Sequence, residues 1–95
     1  MKKYNLLQTA NQTFSTTLNG HVFDLWFRLF RGNLYCSCYI DNELAEAGYK
    51  AIINKPIFSN AVSNVAGGNF RFYSQTADEV SIDKLNGYDI AFVFE

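Results

Sequence analysis

The chain has one histidine, one proline, one methionine and two cysteines, and each scarcity closes off a class of function. A catalytic centre needs a nucleophile, a base and a polarising group that converge. The single histidine, His21, stands beside a turn with Asp24 three residues on, and strand spacing does not favour their meeting. Zinc needs about four ligands, and two cysteines with one distant histidine cannot supply them. Cys36 and Cys38 lie two apart on one strand, about 6 to 7 Å from each other, too far for an undistorted strand to bridge. They are expected as small buried hydrophobes in a reducing compartment. No apolar run approaches the roughly 18 residues of a membrane span. Lys2 and Lys3 have no apolar stretch behind them, so the expectation is a soluble, uncleaved chain. The net charge of −1, from eight basic and nine acidic residues with no run of either sign, argues against a partner recognised as nucleic acid, which calls for a basic stripe.

What the chain has in quantity is aromatic surface: one tryptophan, six tyrosines and nine phenylalanines in 95 residues. This is one domain near the small end of what folds alone, so its core must be dense. Aromatic side chains bury roughly 150 to 250 Å² each, enough to fill that core and leave several at the surface. The stretch from His21 to Ile40 is the most legible. Phe23, Leu25, Phe27 and Leu29 alternate with Val22, Asp24, Trp26, Arg28 and Phe30, a period of two and hence a strand. With Gly32-Asn33 as a two-residue turn, Leu29 faces Cys36, Phe27 faces Cys38 and Leu25 faces Ile40 on a core side. Phe30 with Tyr35, Arg28 with Ser37 and Trp26 with Tyr39 make the back side.

Asn19-Gly20 sets a preceding hairpin in which Phe14 faces Leu25 and Thr16 faces Phe23. Asp41-Asn42 sets a following one, with Ile40 opposite Glu43, Cys38 opposite Ala45 and Cys36 opposite Ala47. Three turns thus agree on one core face, and a four-stranded meander runs from about Thr13 to Ala47. Gly48 is expected to end or bend the fourth strand, with Tyr49 to Ile53 as a fifth. Asn54-Lys55-Pro56 turns the chain. Ile57, Ala61, Val62 and Val65 approximate a helical stripe that Asn60, Ser63 and Asn64 weaken, so residues 57 to 66 are expected as loop with at most one helical turn. Phe70 to Ser74 is a short strand with Phe70 and Phe72 on one side. Asn86-Gly87 signals a hairpin, but its register would set Ile90 and Phe92 opposite Asp83 and Ser81. Tyr88 to Phe94 is apolar on both faces, as a central strand requires. The expected fold is all-β: a small antiparallel meander curling into a barrel or half-barrel of about six or seven strands. Residues 1 to 10 form an N-terminal arm and residues 11 to 95 a single β domain.

No constellation carries chemistry. Glu43, Glu46, Asp78, Glu79, Asp83 and Asp89 read as solvated loop charges, Asp41-Asn42-Glu43 lacks the spaced ligands of a calcium loop, and Gly67-Gly68-Asn69 is too short to cradle phosphate. No catalytic residue, metal or cofactor is expected. The feature above background is the back face, where Trp26, Arg28, Phe30, Tyr35, Tyr39 and Leu44 combine the residue types of an interface hot spot. Cross-strand pairing alone would also account for them, and residues 57 to 66 could cover them.

Asn11-Gln12-Thr13-Phe14, then Leu18-Asn19-Gly20 leading into a long alternating strand, resembles the small baseplate plug proteins of contractile-tailed phages. The similarity continues through Asp41-Asn42-Glu43-Leu44, Gly48, Ile52-Ile53, Pro56-Ile57 and Gly68-Asn69-Phe70-Arg71-Phe72. It runs from Asn11 to the end and leaves out Met1 to Ala10. The resemblance implies a non-enzymatic virion protein, assembled in the host cytoplasm into the tail baseplate, where the tail tube meets the central spike. Implied partners are hub, tail tube or spike proteins, with copies following hub symmetry and no membrane or specific nucleic acid involved. The alternative is a free-standing β-barrel module that stacks a sugar or a nucleic-acid base on the aromatic face.

Overall fold

The computed structural model describes residues 2–9, 11–81, 85 and 90–95. Among them are seven strands and one helix: β1 Lys2–Tyr4, β2 Gln12–Leu18, β3 His21–Phe30, β4 Asn33–Ile40, β5 Glu43–Lys50, α1 Asn60–Ala66, β6 Phe70–Tyr73 and β7 Ala91–Phe94. They form two antiparallel sheets, β2-β3-β4-β5 and β1-β7-β6, that face each other across one core. The all-β class and the strand number stand. The barrel does not close: the second sheet lies over the first as a separate layer. Lys2–Tyr4, within the expected arm, is an edge strand of that second sheet, pairing with β7.

The first hairpin has the register Asn19-Gly20 dictates, with Phe14 opposite Leu25 and Thr16 opposite Phe23. Asn19 and Gly20 both adopt positive φ, 53° and 81°, the pair a type I′ turn needs. The second hairpin differs from expectation by two residues. Phe30 pairs with Asn33, so Leu29 faces Leu34, Phe27 faces Cys36 and Leu25 faces Cys38. The turn is Arg31-Gly32, at φ 51° and 79°. As in the first hairpin, glycine takes the second left-handed position, where a side chain costs most, and Asn33 starts the next strand. A slip of two leaves every side chain on its face, which is why the predicted core side survives.

Phe23, Leu25, Phe27, Cys36 and Cys38 are all buried, but Leu29 is 41% exposed. Pairing of β2 with β3 begins at Gln12 opposite Phe27, so Leu29 lies past the end of the covered sheet. The third hairpin starts as expected with Ile40 opposite Glu43, then shifts register on both sides of Cys38. Cys38 faces Glu46 instead of Ala45, and Cys36 faces Tyr49 instead of Ala47. Each bulge inserts one residue, and one residue exchanges the faces. Glu46 turns into the core while Ala47 is exposed. Gly48, at φ 73°, bends β5 without ending it; Tyr49 and Lys50 continue it, and residues 51 to 53 are not a strand.

Phe70 and Phe72 lie on one side of β6, as predicted, and β7 is the central strand of its sheet. Tyr88 and Asp89, the start of that predicted strand, and the Asn86-Gly87 hairpin lie outside the described residues, as do the carboxylates Asp83 and Asp89. Segment 54 to 57 runs beside β6, with Asn54 N–H donating to Phe72 O at 2.7 Å and Ile57 N–H to Phe70 O at 2.9 Å. The core between the layers is aromatic: Phe92 stacks on Phe70 at 5.6 Å and 6° and meets Phe27, Phe14 and Phe72 at 5.5, 5.7 and 5.0 Å.

The predicted loop at 57 to 66 contains a two-turn helix. Ser59 at the N-cap makes no side-chain cap hydrogen bond. The Glu46 carboxylate takes that place, accepting the Ser59 N–H at 2.9 Å, the Ser59 hydroxyl at 2.5 Å and the Val62 N–H at 2.9 Å. Glu46 is therefore a buried structural carboxylate, not a solvated loop charge. Gly67 caps the other end at φ 79°. Gly68 then passes close to Glu95: a Cβ there would stand 2.5 Å from the Glu95 carbonyl oxygen and 2.9 Å from Phe94 Cζ. Asn69 and Glu95 exchange both backbone hydrogen bonds at 3.0 to 3.1 Å, so the backbone cannot withdraw without breaking them. Gly68→Ala should therefore cost about 1–3 kcal/mol, seen as a melting temperature lowered by several degrees in calorimetry.

Cys36 and Cys38 are free and buried, as expected. Burial pushes the Cys36 thiol well above its usual range. Burial, with Glu46 and Asp24 adding to it, pushes the Cys38 thiol up to about 12. Since the thiolate is the reactive form, neither should react with an aromatic disulfide reagent in the native protein, and both should react in denaturant. Rapid native labelling at either position would contradict the buried assignment.

Candidate functional site

The back face of the meander is built by the alternation that builds the core. Residues whose neighbours point inward point outward here, and cross-strand register sets them in rows. Arg28 on β3 pairs with Tyr35 on β4, which pairs with Lys50 on β5. In the next row Trp26 pairs with Ser37, whose hydroxyl oxygen accepts the Gly48 N–H at 3.1 Å. In the third row Asp24 pairs with Tyr39, and Tyr39 with Leu44.

The middle row is low because Ser37 and Gly48 carry little or no side chain. The result is an open groove of about 620 Å³ lined by Trp26, Arg28, Phe30, Tyr35, Ser37, Tyr39 and Gly48. Five of the six residues singled out in the sequence line it, and Leu44 stands beside it opposite Tyr39. Ser37 and Gly48, its floor, were missed as site residues. The available signal was a glycine inside a strand, which marks either a bulge or a place for close approach.

The aromatic pairs expected on this face form, although the register differs. Trp26 and Tyr39 have ring centroids 5.7 Å apart, and Phe30 and Tyr35 6.4 Å apart. These are now diagonal neighbours, still within reach of large side chains. The Arg31 guanidinium lies over the Phe30 ring at 5.2 Å, a cation–π contact. Residues 57 to 66 do not cover the groove: Val62 of α1 is fully buried in the core, and the helix is held by Glu46 on the other side of the sheet. Trp26 and Phe30 are about half exposed, at 50% and 52%, and Leu44 is 56% exposed.

His21 takes no part in the groove. Its Nδ1 meets the Asp41 carboxylate at 2.6 Å, and the other Asp41 oxygen accepts the Val22 N–H at 2.9 Å. The hydrogen bond from His21, then that from Val22, holds the Asp41 carboxyl below its usual range. This clasp joins the ends of two turns. Asp24, the sequence neighbour considered for His21, instead accepts the Ser15 hydroxyl. Among the described residues no three His, Cys, Asp or Glu side chains gather as a metal site, and no helix is long and apolar enough to cross a membrane. The face offers aromatic walls, a small floor and basic side chains.

A model of the family described as "Cyanophage baseplate Pam3 plug gp18" matches residues 1–95, the whole chain. The match includes Met1 to Ala10, which the resemblance read from the sequence left out. No curated protein matches.

Proposed function

We propose that this chain, which belongs to the cyanophage baseplate plug family, plugs or braces the hub region where the tail tube meets the central spike, docking through its uncovered aromatic face. Membership of that family implies a component of the phage tail that associates with other baseplate parts. The observation that carries the finer reading is the exposure of Trp26, Phe30 and Leu44 together on one face, beside Arg28, Tyr35 and Tyr39. Isolated exposed apolar residues are ordinary, whereas a contiguous group rimmed by polar side chains marks a contact surface. The protein acts by shape, without catalysis, in copies that follow the symmetry of the hub.

The double variant Trp26→Ala/Phe30→Ala separates docking from folding. Both side chains are half exposed, and cross-strand pairs are worth roughly 0.2–1 kcal/mol each, so the melting temperature should fall by only a few degrees. Mass spectrometry of purified tails should find the variant depleted, and co-purification with hub proteins should be lost. A folded double variant incorporated at the wild-type level would overturn the docking assignment. So would a monodisperse protein that ignores hub proteins while its tryptophan fluorescence responds to a sugar or an oligonucleotide.

A further inference from the structure

Resting on the docking face just proposed, the charge distribution around the groove specifies the chemistry of what enters it. Arg28 lines the groove, Lys50 holds the register position across Tyr35, and Arg31 lies over Phe30 at its end. Among the described residues no carboxylate stands within 4.0 Å of any of these three cations; the ion pairs recorded are His21 with Asp41 and Arg71 with Glu95. Asp24 shares this face, but in the far row with Tyr39, and its carboxylate is engaged by the Ser15 hydroxyl. Three cations with no acid partner among the described residues thus stand toward one end of an aromatic trough, in a chain whose net charge is −1.

A groove with a Ser37 and Gly48 floor admits a side chain from above, and the Trp26, Tyr35 and Tyr39 walls favour an apolar one. The guanidinium of Arg28 presents paired donors suited to a carboxylate. We infer that the groove receives a peptide segment of a partner protein in which a carboxylate side chain stands next to a large apolar one, the apolar group lying over Ser37 and Gly48 and the carboxylate on Arg28. Oppositely charged rims of this kind also speed encounter and fix orientation. The single row of cations at one end is too short to track the repeating phosphates of a nucleic acid.

The test uses the full chain in amide-resolved NMR, titrated with the peptide acetyl-Gly-Glu-Leu-Gly-amide and with the same peptide carrying Gln in place of Glu. Saturable shifts are expected at the Trp26 indole N–H and the Gly48 amide. The Gln peptide should bind about fivefold more weakly, the order of effect of one exposed charge pair, and Arg28→Gln should abolish the difference between the two peptides. Equal binding of both peptides, or no saturable shift at these positions, overturns the inference, as does an oligothymidylate that moves the same resonances at lower concentration. Tail incorporation distinguishes this failure from failure of the docking reading. If Arg28→Gln enters tails normally while Trp26→Ala/Phe30→Ala does not, the face docks but does not read an acid. If both variants enter normally, the face is not the docking surface.

Discussion

Phe92→Ala is expected to lower the melting temperature by about 15 °C or more and to abolish the near-ultraviolet circular dichroism of the packed rings. Phe92 is fully buried, at the middle of the central strand of the second sheet, and its ring touches Phe70, Phe72, Phe27 and Phe14. The last two belong to the first sheet, so this side chain packs against both layers at once. Truncating a buried phenylalanine costs roughly 3–5 kcal/mol, the loss of transfer energy together with the cavity left behind. A domain has about 5–15 kcal/mol in all, and one of this size has little to spare. Phe92→Leu keeps most of the volume and should retain a cooperative transition at reduced temperature. A Phe92→Ala protein melting within a few degrees of wild type would mean that the other pairs across the layers, Tyr4 with Phe14, Phe23 with Phe70 and Phe27 with Phe72, suffice to hold them.

The second large effect belongs to Glu46. Replacing it with Ala leaves the Ser59 and Val62 N–H groups at the start of α1 without their acceptor, at about 1–3 kcal/mol for each unsatisfied group; a total near 3 kcal/mol is expected by denaturant titration, together with loosening of residues 59 to 66 in hydrogen exchange. Glu46→Gln keeps the shape and one acceptor but not the charge, and should lose about half as much. The carboxyl also gives the fold an acid dependence. Burial pushes its pKa upward, but the hydrogen bonds from Ser59 and Val62 outweigh that and hold it below the ordinary 4.5. A carboxyl more acidic in the folded state than in the unfolded state stabilises fully above the unfolded value, and that contribution disappears as pH falls through the folded one. The gap between wild type and Glu46→Gln should therefore be widest near neutrality and narrow below pH 4.5. Asp41, also held low, adds to the acid sensitivity of both proteins and cancels in the comparison. A gap that does not change with pH would show that charge contributes nothing at this cap.

Both predictions concern residues whose placement was unequally legible. Ile90, Phe92 and Phe94 on one side, with Ala91 and Val93 on the other, announced a covered strand by being apolar on both faces, and Asn19-Gly20 fixed its hairpin outright. At Arg31-Gly32 the preference of glycine for the second turn position moved the register by two, an error that costs nothing because faces repeat every two residues. Glu46 was misplaced because bulges beside Cys38 insert single residues, and Gly48 hints at a bulge in this strand without fixing where the register shifts. Helix α1 was underestimated for a related reason. Its first turn is organised by a carboxylate 13 residues away in sequence, whereas capping signals are sought within about three. The six back-face residues were readable from alternation and aromatic content. Ser37 and Gly48 were not, since the depth of a groove depends on what the bulge does to its floor.

The pairing of Lys2, Lys3 and Tyr4 with Phe94, Val93 and Phe92 bears on how the chain is made. The meander of β2 to β5 closes through three two-residue turns, and such neighbours find each other in microseconds. The strand Lys2–Tyr4 leaves the ribosome before any of them, yet its partner β7 follows all of them and β6 in chain order. Until β7 is made the inner side of the meander lacks the contacts of Phe92 with Phe14 and Phe27, and a nascent chain stalled short of Ala91 would present part of that greasy surface to chaperones and to its own copies. Synthesis of β7 is therefore the event that lets Lys2–Tyr4 find its place in the native topology.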